Sequence, residues 1–136
     1  MREKEITETV CNFYPDIEAI YLFGSYGTGY ERADSDLDIA LLLPADIGKR
    51  DKLLALSPCT RKLEDIMGRT VDLINLRQVS TVFQHEIIKN GKLIYNRNAY
   101  ESDTFEMITM SLYQKLNDER SEILKEFIKT RRAYNV

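Results

Sequence analysis

The sequence has little of several things that would settle its class at once. Two cysteines, Cys11 and Cys59, in 136 residues cannot build a disulfide scaffold, and neither stands in a paired metal-ligand spacing. Both read as small apolar side chains kept reduced. The one histidine, His85, has no partner ligands and reads as a surface or packing residue. No apolar run exceeds five residues, as in Ile39 to Leu43, against the ~20 that a membrane-spanning helix needs. The opening MREKEITETV lacks the apolar stretch of a secretory signal. A cytoplasmic protein without a membrane span is expected. Nor is there an excess of positive charge: the net value is −3, which argues against coating nucleic acid by charge alone, and no direct nucleic-acid contact is expected.

What is present is ordinary globular material. Hydrophobic residues make up 43% and charged residues 30%, so disordered and collagen-like readings have no support. The length suits one domain, expected over residues 1–136, with a core of about 1–96 and a helical extension of about 97–136. The charge is uneven. Residues 1–44 hold 3 basic against 9 acidic residues, residues 45–96 hold 9 against 6, and residues 97–136 hold 7 against 7. The acidic first third is therefore where chemistry is sought.

The pattern predicts mixed α and β structure. Ile6, Val10 and Phe13 sit at helical spacing before Pro15, and 17–23 reads as a largely buried strand ended by Gly24. Residues 24–30 form a glycine-spaced loop, and 36–43 a second strand ending at Pro44. A helical stripe over 46–67, including Leu53, Leu54, Leu56 and Leu63, is expected to be kinked or split at Pro58 and ended by Gly68. Residues 69–75 read as a third strand, Ser80 to Lys89 as a helix closed by Asn90-Gly91, and 92–95 as a short edge strand. Asp103 with Glu106 looks like a capping box opening a last helix. Its stripe from Phe105 to Phe127 reads as core or, in part, a partner-facing surface. Its basic end, Lys129 to Arg132, reads as a complement to the helix dipole.

The chemistry concentrates in Gly24-Ser25, ten residues, then Asp36-Leu37-Asp38. Residues two apart on a strand point to one side, so the two carboxylates share a face. At ~6 Å and an effective dielectric of ~20 they repel by roughly 3 kcal/mol, which a cation relieves. Mg²⁺ takes oxygen ligands from one or two carboxylates plus substrate phosphates, so the pair suits a Mg²⁺-nucleotide better than zinc. Asp72, on the third strand, adds a third acid if that strand lies alongside in suitable register, which permits a second metal or a base. Gly24 and Ser25 at the strand exit offer unobstructed N–H groups and a hydroxyl for phosphates. An Asp-x-Asp alone is weak, arising by chance roughly 0.7 times in a chain with this aspartate content. Requiring Gly-Ser at that fixed offset lowers the expectation to the order of 0.002, so the whole constellation is the signal.

The stretches GSYGTGYERADSDLDIALLL at 24–43 and VDLINL at 71–76 resemble the minimal nucleotidyltransferase family of the polymerase-β-like nucleotidyltransferase superfamily. The resemblance implies an α/β (α+β) fold of that type, a small mixed sheet flanked by helices with a C-terminal helical extension. It also implies an enzyme that transfers a nucleotide from Mg²⁺-ATP to a hydroxyl with loss of pyrophosphate. Gly24 and Ser25 match the phosphate-binding positions, Asp36 and Asp38 the metal-binding acids, and Asp72 the third acid, which helps hold metal and activate the acceptor. Tyr26, Thr28 and Ala33 depart from positions where many relatives carry Arg, Arg and Pro, while Arg32 matches a common basic position. The short extension resembles the bacterial antitoxins that work beside a HEPN-domain ribonuclease toxin. The activity implied is adenylylation of a tyrosine on that toxin. Two alternatives stand beside it: neutralisation by binding and occlusion without catalysis, and nucleotidyl transfer to a small molecule or RNA.

Overall fold

The computed structural model of the protein describes residues 3–24, 36–48 and 57–134. Ser25, Tyr26, Thr28, Arg32 and Ala33, together with Leu53, Leu54 and Leu56, lie outside the described residues. The described chain runs α1 (Glu3–Phe13), β1 (Ala19–Phe23), β2 (Leu37–Leu42), α2 (Ala45–Gly48), α3 (Pro58–Met67), β3 (Val71–Asn75), α4 (Thr81–Asn90), β4 (Lys92–Asn96) and α5 (Ala99–Tyr134). The expected mixed α and β fold is what forms. The four strands make one sheet in the order β3-β2-β1-β4, with β4 at an edge as its length and composition suggested. β2 and β3 are parallel, whereas β1 runs antiparallel to both β2 and β4.

Alternation along the strands sorts the side chains into two layers. On one face, Ile20, Leu22, Leu37, Ile39 and Leu41 pack with Ile6 and Val10 of α1 and with Cys59, Leu63 and Met67 of α3. On the other, Tyr21, Ala40 and Leu42 pack with Ile87 of α4 and Phe105 of α5. The cysteines behave as small apolar groups: Cys59 is fully buried, and burial alone pushes its thiol up to about 12. His85 lies face to face on Tyr113, ring centroids 3.6 Å apart, a packing role between α4 and α5. No described helix is long and apolar enough to cross a membrane.

Two helix starts differ in detail from the sequence reading. Pro58, expected to kink or split the stripe over 46–67, stands in the first turn of a separate helix, α3. Ser57 is the cap, its side chain accepting from the Thr60 N–H at 3.3 Å, with Pro58 in the first turn, where a missing N–H costs nothing. Gly68 ends α3 as expected, with φ +67°. The second difference is at α5, which starts at Ala99 and not at an Asp103–Glu106 box. Asn98 accepts from the Glu101 N–H at 3.2 Å, a good N-cap arrangement. Glu106 instead accepts from the Tyr21 hydroxyl at 2.7 Å, which ties α5 to the sheet. The polar interval 117–122 does not break α5. The helix continues through it with that interval in solvent.

At the carboxyl end of β2 and β3, Arg77 holds three elements together. Its guanidinium donates to Glu18 at 2.9 Å and to the Leu43 carbonyl at 2.5 Å, and it lies over the Phe105 ring, 5.3 Å from the centroid. Burial raises the pKa of Glu18, and Arg77 opposes that rise. Removing the cation leaves a carboxylate with little water and no partner. Arg77→Met is therefore expected to cost about 2–4 kcal/mol in urea unfolding. The double variant Arg77→Met with Glu18→Gln should regain more than half of that loss. Equal loss in single and double variants would show that the ion pair is not what the site needs.

Candidate active site

The acids gather at the other end of the sheet. In β2, Leu37, Ile39 and Leu41 are fully buried on the α1/α3 face, so Asp38 must project with Ala40 and Leu42 toward the α4/α5 face. The Leu37 N–H donates to the Thr70 carbonyl at 2.8 Å, starting the parallel pairing with β3. The register then sets Asp38 opposite Asp72 and, across β1, opposite Phe23. Paired residues on adjacent strands share a face, so Asp72, Asp38 and Phe23 form one line across three strands, about 10 Å from end to end at the usual strand spacing. Asp36 stands two residues before Asp38, exposed, just ahead of the strand.

The condition set by the sequence for Asp72, a neighbouring strand in suitable register, is met. The electrostatics agree: the Asp38 pKa is raised above its ordinary 3.8, first by burial, then by Asp72 and then by Asp36. Asp72 and Asp36 are therefore both near enough to act on Asp38. Gly24 closes the group from the β1 side. Its φ is +77°, a left-handed backbone that favours glycine, and a Cβ there would run into the carboxylate oxygen of Asp38. The turn and the acid are fitted to each other. Ser25, the other expected phosphate contact, lies outside the described residues.

A divalent cation fits this donor set. The ligands are hard oxygens, one of them partly buried and destabilised by its own neighbours, the electrostatic state that a cation relieves. Among the described residues no group of three or more acids, histidines or cysteines is placed to hold a metal ion by itself.

One part of the site carried no signal in the sequence reading. Beside Gly24 is a hollow of about 290 Å³ lined by Phe23, Phe83, Glu86, Ile87 and Asn90. Phe23 and Phe83 meet edge to face at 5.7 Å. Phe83 reads as one apolar residue among several on α4, and only the tertiary fold brings it to the end of β1.

The model of the family described as polymerase beta, nucleotidyltransferase, matches residues 4–100. The protein adenylyltransferase MntA of Shewanella oneidensis is 31% identical over 93% of this chain and 87% of its own length. A crystal structure of a toxin–antitoxin with AMP-PNP includes a chain 31% identical, superposing at a TM-score of 0.75 over 94% of this chain and 99% of that one. Another, of a tri-AMPylated Shewanella oneidensis HEPN toxin in complex with an MNT antitoxin, includes a chain 29% identical at a TM-score of 0.69, over 93% of this chain and 96% of that one.

Two stability measurements test this geometry. Folding raises the pKa of Asp38, so the native state holds that proton more tightly than the unfolded chain does. Stability then falls as pH climbs through the window between the two values, and the penalty is complete at neutral pH. Asp38→Asn is expected to raise Tm at pH 7 by about 1–4 °C, a gain that vanishes below about pH 4. An unchanged or lowered Tm at pH 7 contradicts the crowding. Gly24→Ala is expected to cost about 1–3 kcal/mol, part of it recovered in an Asp38→Ala background, where the collision is gone. Strict additivity of the two changes would separate the turn from the acid.

Proposed function

This chain belongs to the polymerase β nucleotidyltransferase family, and on that premise we propose that it is a Mg²⁺-dependent protein adenylyltransferase. Its reaction is transfer of AMP from ATP to a tyrosine hydroxyl of a cognate HEPN-domain toxin, for which it is the antitoxin. The observation that carries this reading is the strand register that sets Asp38 beside Asp72, with Gly24 against the Asp38 carboxylate. The likeness to MntA and to toxin–antitoxin chains crystallised with AMP-PNP and with a tri-AMPylated toxin supports the donor and the partner.

Each residue has a distinct task. Asp36 and Asp38 would hold Mg²⁺, with Asp72 as a further ligand, and the ion's contribution is to neutralise charge on the phosphates as it builds. Gly24, with Ser25, presents backbone N–H groups to the triphosphate. Asp72, exposed on β3, takes the proton from the acceptor hydroxyl. The freed oxygen attacks the α-phosphorus, a new P–O bond forms, the bond to the β-phosphate bridging oxygen breaks, and pyrophosphate departs. The proton passes from Asp72 to water. AMP added to a ribonuclease brings negative charge into a site built for RNA phosphates, which is an electrostatic reason for silencing.

A second reading, occlusion without transfer, is favoured by one feature. The distal part of α5 leaves Ile123, Leu124 and Phe127 more than half exposed, with Ile128 beside them, a patch that a bound protein would cover. One experiment separates the two. The protein is incubated with Mg²⁺, labelled ATP and the product of the neighbouring gene, and that product is weighed intact. Mass is expected to rise in steps of one adenylyl group, and Asp36→Asn with Asp38→Asn should slow the gain by about 1000-fold or more while the complex persists. A stable complex with no mass gain from the unaltered protein overturns transfer in favour of occlusion.

A further inference from the structure

We propose that the cavity between α2, α4 and α5, at the end of the sheet away from the acids, is a socket in which the toxin partner anchors an arginine or lysine side chain. Who the partner is rests on the reading above; the socket itself is separate from the catalytic acids. The cavity holds about 380 Å³, with Ala45 of α2, Gln84 of α4 and Glu101 and Phe105 of α5 in its wall beside Arg77. Leu42, the last residue of β2, stands four residues beyond Asp38, about 13 Å at the usual strand rise. A partner seated past that point leaves the acids open to its tyrosine.

The lining is short of one positive charge. Arg77 is already engaged, donating to Glu18 and to the Leu43 carbonyl. Glu101 is what remains. Its main-chain N–H donates to Asn98, but its carboxylate has no hydrogen-bond or ion-pair partner among the described residues. With Asp46 it adds to the rise in the Glu18 pKa, a sign that a further cation is favoured at the cavity mouth. Gln84 donates its amide N–H to the Leu76 carbonyl at 2.9 Å and keeps its oxygen as an acceptor. Phe105, Ile108 and Leu112 supply an apolar wall. A long basic side chain matches all three features, its charged tip on the carboxylate and its aliphatic stem along the wall.

The lip distinguishes a protein from a free cation. Ile108 and Leu112 are 52% and 46% exposed and stand one turn apart on α5. A small cation leaves both in water, whereas an interface covers them around a buried basic anchor. The charges are complementary as well: this chain carries a net −3, and a ribonuclease presents basic side chains to hold RNA phosphates.

The test measures binding of the neighbouring gene's product by calorimetry. It compares the unaltered protein with Glu101→Gln, Glu101→Arg and Thr104→Trp, the last filling the cavity without a change of charge. Toxin binding is expected to weaken about 5- to 50-fold in Glu101→Gln and Thr104→Trp and about 100-fold or more in Glu101→Arg, with Mg²⁺-ATP binding unchanged. In the transfer assay the KM for the toxin should rise while kcat holds. A scan of the toxin's arginines and lysines to glutamate should find one change that restores binding to Glu101→Arg. Unchanged toxin affinity in all three variants overturns the socket, and so does a loss confined to kcat. Agmatine, a guanidinium on an apolar stem, is the free-cation arm: agmatine binding that Glu101→Gln abolishes, with toxin affinity untouched, gives the site to a small molecule instead. If the variants weaken toxin binding but the unaltered pair shows no mass gain, the socket stands and transfer fails. If no complex forms at all, the partner reading fails, and this inference with it.

Discussion

The arrangement depends on a contest between like charge and apolar burial within one pair of strands. Asp38 is partly buried beside Asp72 and feels Asp36 as well, and each such approach is worth a few kcal/mol of repulsion. On the reverse face of the same strand, Leu37, Ile39 and Leu41 are wholly buried, each contributing about 1.5–3 kcal/mol by leaving water. Burial wins. A slip of one residue would turn all three apolar side chains out and the acids in, so the core packing against α1 and α3 fixes the register that holds the carboxylates together. The site is strained electrostatically because the core behind it leaves no other choice.

That coupling explains why so much was legible in the sequence. The alternation in 36–43 and 69–75 carries both facts at once, which residues face the core and which acids face away. Gly24 and Gly68 stand where the backbone turns left-handed, a need that glycine announces in sequence. What failed to show depends on choices between local partners. Pro58 is compatible with a kink or with a split, and the Ser57 cap just before it decides for a new helix. Asp103 and Glu106 have the spacing of a box, but Glu106 finds the Tyr21 hydroxyl, 85 positions earlier in the chain, and Asn98 takes the cap. Phe83 and Arg77 carried no signal because their roles arise only after distant elements meet.

The two ends of the α4/α5 face do different work. At the carboxyl end of β2 and β3, Arg77 pairs with Glu18, bonds the Leu43 carbonyl and packs on Phe105. Charges there are matched, and the elements are locked. At the opposite end, where β1 exits and β2 enters, the acids have no described basic partner opposed to them and the helices cover less of the sheet. Exposure follows: Asp36 and Asp72 are open to solvent, while Tyr21, Ala40 and Leu42 farther along the same face are buried. A charge surplus that would be a defect within the core becomes usable at an edge that phosphates and a cation can reach.

The same reasoning constrains where the donor can lie. Approach from the α1/α3 side is closed by the fully buried Leu37 and Ile39. From the β1 side, the Asp38 carboxylate abuts the backbone of Gly24, so the turn and the acid form one continuous boundary. One boundary of this edge is made by backbone and another by acids, and it is the order of the strands, with β2 between β1 and β3, that brings the two together.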